Sequence, residues 1–501
     1  MKMIDMTEKF NLSAVKEPKA FHAIFPILVL LGLLSLNVCF FGDGTLGGAN
    51  QIALLLAAGI GSVIAVRLGY PWMYVRSRIV KSISDAMPSM LILLMIGALA
   101  GTWMLSGVVP AMIYYGLKIL HPTFFLAATV IICSLVSLGT GSSWSTVATI
   151  GVALLGIGQA LGFNSAIVAG AIVSGAYFGD KMSPLSDTTN LAPAMAGTDL
   201  FTHIRYMVIT TVPSIILTII IFAVIGFTKS MASSETGIER TLNTLQSTFY
   251  ISPWLFIVPV VLIVVILKKT APLPSLMIGT LLGAIFAVIF QPHIIREIAG
   301  FEGNYAEVSY VAVMKSMFGR ISVITSDPKI NDLLTTGGMG GMLNTIWLII
   351  SAMVFGGVME SCGLLAKITS YIIRLAVNTA SLVASTVATC IFFNITASDQ
   401  YLSIVVPGRM FAETYRKRKL KPELLSRTLE DSGTVTSVLI PWNTCGATQA
   451  AVLGVPVISY MPYAFFNIIS PFMSIFIASI NYKIRRIDDD ESDDNVQSQN
   501  H

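Results

Sequence analysis

Two polar segments interrupt this otherwise apolar chain: Gly139-Thr140-Gly141-Ser142-Ser143-Trp144-Ser145-Thr146, the first polar segment, and Asp180-Lys181-Met182-Ser183-Pro184-Leu185-Ser186-Asp187-Thr188-Thr189-Asn190, the second polar segment. Both are short, polar and flanked by apolar, helix-like sequence. This pattern predicts two breaks within helices at membrane depth. Backbone unwinds at that depth only where protein or a water-filled cavity satisfies its N–H and C=O groups. Such breaks commonly hold an ion or a substrate.

The composition places the rest of the chain in a bilayer. Hydrophobic residues make up 54% of the 501 positions and charged residues 12%, whereas roughly a quarter of a soluble domain is charged. We therefore predict an all-α polytopic membrane protein surrounded by lipid. A span needs about 20 residues, and the clear candidates are 21–41, 50–66, 88–106, 206–228, 250–267, 272–291 and 456–480. With interrupted segments between them, we expect about ten to thirteen membrane segments.

Other classes of protein lack their signatures here. The chain has no Walker-type loop, no His-Glu-x-x-His and no Gly-x-Ser-x-Gly elbow, so we predict neither enzymatic activity nor a cofactor. The five cysteines have no metal-ligand spacing,. The net charge of +4 does not indicate a nucleic-acid partner, because the basic residues are explained by membrane topology.

Basic clusters predict the orientation of the chain. Lys and Arg concentrate at the cytoplasmic ends of membrane helices, and here they cluster in four places: residues 67–81, 268–269, 416–421 and 483–486. The segments 42–49, 229–249 and 292–335 lack such clusters and are predicted to be external. Both termini are then cytoplasmic.

The sequences of the two halves resemble each other when they are aligned at a nearly constant offset. The matched pairs include Gly101 with Gly357, Gly107 with Gly363, Cys133 with Cys390 and Pro184 with Pro441. Matching hydropathy and opposite predicted orientation indicate an inverted-topology repeat with discontinuous helices or re-entrant hairpins. Chance similarity between Gly-rich helices is the alternative. The predicted division is a cytoplasmic N-terminal tail (1–20), a first repeat (21–228), an external linker (229–249), a second repeat (250–482) and a cytoplasmic acidic tail (483–501).

The repeat gives each polar segment a partner in the second half. The first maps onto Asn394-Ile395-Thr396-Ala397-Ser398-Asp399-Gln400-Tyr401, the third polar segment. The second maps onto 436–446, the fourth polar segment, which contains Pro441-Trp442-Asn443-Thr444-Cys445-Gly446. We expect all four to converge on one site between the halves.

These segments carry the ligands of a small hard cation. Such an ion takes several oxygen ligands, and an ionisable side chain at membrane depth indicates function. The predicted residues of one site for sodium and protons are Asp180, Asp187, Asp399, Ser143, Thr146, Ser186, Thr188, Asn190, Thr396, Asn443 and Thr444.

Five further charged residues are weaker candidates. Glu360 and the adjacent pair Glu430 and Asp431 are carboxylates that either belong to the site or lie at a helix end near the surface. Arg409 and Arg427 suit bidentate recognition of a carboxylate, or else belong to the cytoplasmic rim around the basic loop.

Two other polar residues remain. Lys181 is expected to neutralise Asp180 or Asp187, with a role in ligand binding as the alternative. His203 is expected near a helix end at the membrane interface.

The residues from Gly139 to Thr146 and from Gly179 to Asn190 closely resemble the bacterial sodium/proton antiporter family NhaC, and the likeness extends over most of the chain. It includes Thr396–Gln400 and Pro441–Gly446. The resemblance implies a secondary antiporter of the ion-transporter superfamily in the bacterial inner membrane. It also implies a homodimer that moves a transport domain against a scaffold.

The resulting hypothesis is that sodium and protons compete for one site and cross the membrane by alternating access. The family also contains exchangers that couple sodium and protons to malate and lactate, so a small carboxylate is an alternative substrate. An ion channel is a third reading, which the paired breaks disfavour.

Overall fold

The computed structural model describes residues 15–41, 47–229, 235–325 and 328–487 and is almost entirely helical. The helices of the first half are α1 (Ala20–Phe41), α2 (Ala49–Arg67), α3 (Trp72–Leu105), α4 (Val108–Ile119), α5 (Pro122–Thr140), α6 (Ser143–Thr146), α7 (Val152–Ala160), α8 (Ser165–Met182), α9 (Asp187–Ala196), α10 (Leu200–Lys229) and α11 (Glu235–Thr248). Those of the second half are α12 (Ile257–Leu267), α13 (Pro272–Phe290), α14 (Pro292–Ala299), α15 (Tyr305–Phe318), α16 (Pro328–Leu333), α17 (Leu343–Ser361), α18 (Leu364–Arg374), α19 (Thr379–Thr396), α20 (Leu402–Lys417), α21 (Pro422–Leu429), α22 (Thr444–Leu453), α23 (Val457–Tyr460) and α24 (Phe465–Ser479). One short antiparallel pair, β1 (Ile321–Ser322) with β2 (Thr335–Thr336), lies between α15 and α17.

Many of these helices have the length and composition of membrane spans. Within the described ranges, nine are long and apolar enough to cross a membrane, and the count is eleven if each of two bent helix pairs forms one span. The bent pairs are Ile238–Thr248 with Pro253–Leu267 and Val457–Tyr463 with Phe465–Ser479. Each candidate span from the sequence overlaps one of these helices or pairs, which confirms the all-α polytopic fold.

Large apolar side chains cover the outside of the molecule. Leu135, Val224, Ile285 and Phe472 are each more than half exposed. Extended apolar patches of this kind are rare on soluble monomers, whereas lipid tails solvate them. The burial pattern therefore matches a bilayer environment.

Equivalent helices of the two halves begin at equivalent positions of the repeat. α5 begins at Pro122 and α19 at Thr379, while α9 and α22 occupy Asp187–Ala196 and Thr444–Leu453. The residue after each of the last two helices is a glycine with positive φ, 87° and 65°. The constant offset holds for element bounds as well as for sequence.

Equivalent side chains also bind equivalent backbone atoms. The Ser137 hydroxyl donates to the carbonyl oxygen of Ala176 at 2.6 Å, and the Asn394 amide donates to that of Gly433 at 2.8 Å. Donor and acceptor of the second bond are the repeat equivalents of those of the first. This equivalence of long-range contacts agrees with the predicted repeat.

A short helix of each repeat packs against the other repeat. α9 of the first repeat packs against α20 and α21 of the second. Conversely, α22 packs against α7 and the π-helical turn Val147–Gly151 that precedes it. α3 and α17, which are equivalent, pack against each other. This arrangement brings the helix breaks of both repeats together.

The segments predicted to flank the repeats are partly described. The predicted linker 229–249 contains α11, which packs on α4 and α7. Near the C-terminus, the N–H of Ile487 donates to the carbonyl oxygen of Lys419 at 2.9 Å. Residues 483–487 therefore dock on the connection between α20 and α21. The acidic run from Asp488 to Asp494 lies outside the described residues.

Candidate functional site

The first polar segment separates α5 from the helix that follows. Gly141 has φ of 68°, a left-handed conformation that favours glycine,. Ser142 then caps α6, because its Oγ accepts a hydrogen bond from the N–H of Ser145 at 3.2 Å,. The chain continues as a helix from Ser143 to Ala160. The break thus exposes the N–H groups that begin a half-helix.

The second polar segment packs directly on the first. Residues 183–186 separate α8 from α9. A Cβ atom on Gly141 would lie 2.6 Å from the Cβ of Leu185, so a larger residue does not fit between the breaks. Within the segment, the Asn190 amide donates to the carbonyl oxygen of Ser186 at 2.7 Å. Side chains therefore replace part of the missing helical hydrogen bonding.

Asp180 is a buried carboxylate between these breaks. Asp180 lies in the last turn of α8 and is 8% exposed. Oδ2 accepts hydrogen bonds from the backbone N–H of Ser143 at 3.1 Å and from the Ser143 hydroxyl at 2.7 Å. The start of a helix is a favourable place for a negative charge. The first polar segment thus fixes the carboxylate of the second.

The third polar segment repeats the geometry of the first. Asp399 Oδ1 accepts a hydrogen bond from the N–H of Leu402 at 2.9 Å, which is the cap that Ser142, its equivalent, forms in the first repeat. Ser398 has φ of 59°, close to the 68° of its equivalent Gly141. The Asp399 carboxylate therefore occupies a helix-capping position.

Asn443 ties the fourth polar segment to the third. Its Oδ1 caps α22 by accepting from the N–H of Cys445 at 3.0 Å, and its Nδ2 donates to the backbone and side-chain oxygens of Asn394, both at 3.1 Å. The N–H of Thr444 donates to the carbonyl oxygen of Ser398 at 3.0 Å. The two breaks of the second repeat form one connected unit.

All four polar segments line one cavity of about 560 Å³. The α12–α13 connection and α3 complete its wall. The lining residues are Ser89, Ile92, Thr140, Gly141, Ser142, Trp144, Ser145, Asp180, Pro184, Leu185, Ser186, Asp187, Thr188, Asn190, Ile266, Lys269, Thr270, Ala271, Pro272, Gln400, Tyr401, Thr444 and Cys445. Most of these lining residues belong to the first repeat. The cavity therefore lies closer to the first repeat than to the second.

The predicted binding residues fall into two groups. Those in the cavity wall are Asp180, Ser186, Asp187, Thr188, Asn190 and Thr444. The others, Ser143, Thr146, Thr396, Asp399 and Asn443, lie outside that wall, and all of these except Thr396 make hydrogen bonds at the breaks. Thr396 instead donates to the carbonyl oxygen of Phe392 at 2.7 Å within its own helix.

The weaker candidates Glu360 and Arg409 lie away from the cavity. Glu360 forms an ion pair with Arg78 at 3.4 Å, and both side chains are about one-third exposed. Arg409 is exposed on α20. Neither residue lines the cavity in this structure.

Lys181 and Asp431 differ from their predicted places. Lys181 does not neutralise Asp180 or Asp187. It forms an ion pair with Asp431, and both side chains are fully buried. The Lys181 ammonium also lies 3.3 Å from the hydroxyl of Ser470, which donates to Asp431 at 3.1 Å. Of the two interpretations of Asp431, the helix end near the surface is excluded, because side chains of α8 and α24 cover the carboxylate.

Arg427 and His203 are also buried, contrary to the predicted rim and interface positions. Arg427 is fully buried, with its Nε 3.9 Å from Asp431 Oδ2 and its guanidinium 4.6 Å from the centre of the Tyr206 ring. His203 Nδ1 lies 2.8 Å from the Ser426 hydroxyl. The reason is that α21 is enclosed by α9, α10, α19 and α20.

Several site residues were not predicted. Gln400 and Tyr401 line the cavity from the third polar segment, which the repeat had located without assigning them a role. Lys269 lines it from a basic cluster that the sequence explains by topology. Glu430, by contrast, is a carboxylate candidate from the sequence together with its neighbour Asp431, and the structure buries it fully.

Fold and cavity together define a multi-pass, all-α membrane transporter with a polar site between two repeats. Residues 175–481 match the model of the Na+/H+ antiporter family. The chain belongs to that family, which confirms the resemblance seen in the sequence.

Individual relatives cover nearly the whole chain. It is 40% identical to the Na(+)/H(+) antiporter NhaC of Alkalihalophilus pseudofirmus, over 85% of this chain and 88% of the relative. It is 37% identical to the Malate-2H(+)/Na(+)-lactate antiporter of Bacillus subtilis, over 89% and 92%. It is 34% identical to the Na(+)/H(+) antiporter NhaC of Bacillus subtilis, over 91% and 98%.

Proposed function

We propose that this protein exchanges sodium ions for protons across the membrane and that both ions compete for Asp180. The observation that carries this proposal is a buried carboxylate in a polar cavity, held in place by the start of a half-helix. Family membership supports the same pair of ions.

The cavity wall supplies the remaining ligands for sodium. The hydroxyls of Ser186 and Thr188 lie 3.1 Å apart, and Asn190 and Thr444 line the same wall. Small hard cations bind oxygen clusters of this kind. Asp187 adds a second carboxylate to the wall, whereas Asp399 acts on the site by capping α20.

Competition for one carboxylate is sufficient for exchange. A bare carboxylate is costly to carry through a low-dielectric region, so the site crosses only with sodium or a proton bound. Binding of one ion excludes the other, and each turnover therefore exchanges them. The breaks provide the flexible backbone that alternating access needs.

The proposal includes the orientation of the chain in the membrane and its assembly as a homodimer. The cavity wall includes Lys269, which belongs to a basic cluster predicted to face the cytoplasm,. This conformation is then open to the cytoplasm, with both termini on that side of the bacterial inner membrane. The family resemblance predicts a homodimer, which gel filtration with light scattering will test.

An organic-acid exchanger is the second candidate function. A cavity of about 560 Å³ has the size of a small-molecule site, and Lys269 in its wall offers a cation to a small carboxylate. The relative named for malate and lactate transport makes this class of substrate worth testing.

One transport assay separates the two functions. Purified protein in proteoliposomes is given labelled sodium, malate or lactate under an imposed pH gradient. Sodium/proton exchange predicts sodium uptake with neither acid present. Uptake of sodium that requires malate or lactate would support the organic-acid exchanger instead.

A further inference from the structure

A π-helical turn of the second repeat carries buried oxygen atoms that sodium/proton exchange at Asp180 does not use. Glu430 and Thr434 are the first and last residues of this turn, and both are fully buried. Neither carboxylate oxygen of Glu430 nor the hydroxyl of Thr434 has a hydrogen-bond partner among the described residues. Buried polar atoms are nearly always paired, and an unpaired buried charge is especially costly.

These oxygen atoms lie one layer behind the cavity wall. The hydroxyls of Thr434 and Thr188 face the Glu430 carboxylate, and Asp180 and Lys181 are the charged side chains that act on it. Thr188 also lines the cavity. Thr188 is thus shared between the cavity wall and the surroundings of Glu430.

The two neighbouring cationic side chains both lie next to Asp431. Lys181 is paired with Asp431 and lies 3.3 Å from the hydroxyl of Ser470. Arg427 lies 3.9 Å from Asp431 and over the Tyr206 ring, and its nitrogen atoms have no hydrogen-bond partner among the described residues. The ion pairs of both cations are with Asp431 and not with Glu430 in this part of the structure.

The carboxyl groups of the region outnumber its cationic side chains. Its acidic side chains are Asp180, Asp187, Glu430 and Asp431, and its basic side chains are Lys181 and Arg427. Two carboxyl groups are left to bind a proton or a monovalent cation. A single ion at Asp180 satisfies only one of them.

We propose that Glu430, Thr434 and Thr188 form a second sodium site behind the cavity. The site offers only oxygen atoms, a carboxylate and two hydroxyls, which is the donor set that a small hard cation selects. It rests on the proposed function in one respect, since sodium reaches it through the cavity at Asp180. The inference adds that each chain binds two sodium ions, one at the Asp180 carboxylate and one at the Glu430 carboxylate.

Equilibrium binding of radioactive sodium to the purified full chain tests this inference. Wild type is expected to bind two sodium ions per chain at saturation. Glu430→Gln is expected to bind one, because the amide lacks the charge but keeps the shape. Asp180→Asn is also expected to bind one. The control Glu413→Gln removes an exposed carboxylate that pairs with Lys417 at 2.8 Å and is expected to bind two.

Thr434→Val keeps the test decisive if Glu430→Gln fails to fold. It preserves side-chain shape, and loss of one ligand is expected to weaken the second sodium ion about tenfold, equivalent to about 1.4 kcal/mol. Binding curves of Glu430→Gln or Thr434→Val that match wild type would overturn the second site. Failure of the proposed function has a different signature: sodium-dependent proton movement would be missing in wild type, whatever the number of bound ions.

Discussion

Asp180 and Lys181 are consecutive residues whose side chains lie in different environments. Successive residues of a helix point about 100° apart. Asp180 therefore reaches the cavity, while Lys181 enters the core and pairs with Asp431 of the second repeat. Ser143 holds the Asp180 carboxylate from the other side. The proposed exchange residue is thus positioned by both repeats.

Ser143→Ala tests the contact to the carboxylate. The variant loses the hydroxyl donor at 2.7 Å from Asp180, and a hydrogen bond to a charged group contributes about 1.5–3 kcal/mol. We expect the sodium concentration for half-maximal exchange to rise about tenfold or more. Ser134→Ala is the control, because its hydroxyl donates only within α5 at 2.7 Å. Equal sodium dependence in both variants would contradict this role of Ser143.

Lys181→Met tests the buried ion pair. Removing one partner leaves Asp431 charged and uncompensated, which costs about 3–5 kcal/mol. Thermal unfolding in detergent is expected to occur at clearly lower temperature than for wild type. The double variant Lys181→Met/Asp431→Leu is expected to regain most of this stability, since the unpaired charge is gone. A double variant no more stable than the single one would argue against the pair.

At the scale of elements, the helix breaks were predictable and the buried charge network was not. The breaks contrast in polarity with their apolar flanks, and the repeat locates their partners in the second half of the chain. Lys181 and Asp431 are far apart in sequence, and no local pattern predicts their contact. Arg427 lies beside a basic loop, so local sequence favours a surface position, whereas helix packing buries it.

Gly141→Ala tests the contact between the first two breaks. A left-handed conformation costs a non-glycine residue about 1–2 kcal/mol, and the new methyl group would also collide with Leu185. Gly197→Ala is the matched control, because its φ is 87° but no atom lies within 4 Å of the added Cβ. We expect Gly197→Ala to lose only stability and Gly141→Ala to lose most sodium-driven exchange as well. Similar exchange rates in the two variants would show that the close approach is unimportant.

At the scale of the whole molecule, two repeats share one fold but contribute unequally to the cavity. The first repeat supplies Asp180 and Asp187, while the equivalent positions of the second carry Ser437 and Thr444. Such asymmetry is expected when one conformation of an alternating-access cycle is observed. The proposed cytoplasmic opening follows from the basic cluster at Lys268 and Lys269.

Cysteine labelling tests this orientation. In a chain whose native cysteines are replaced, Asn190→Cys places a thiol in the cavity and Glu302→Cys places one in the segment predicted to be external; both residues are exposed. A membrane-impermeant maleimide is expected to label Asn190→Cys in inside-out vesicles and Glu302→Cys in intact cells. The reversed pattern would invert the proposed topology.

Sodium-dependent proton movement by Asp180→Asn is the most direct test of the central claim. The control is Asp199→Asn, at an exposed position outside the spans. The Thr202 side chain and backbone N–H hold the pKa of the Asp199 carboxyl below its usual range, and asparagine preserves the cap that Asp199 forms for α10. In proteoliposomes with an imposed sodium gradient, Asp199→Asn is expected to move protons at nearly the wild-type rate. Asp180→Asn is expected to move none above empty liposomes, whereas wild-type exchange by Asp180→Asn would contradict the proposal.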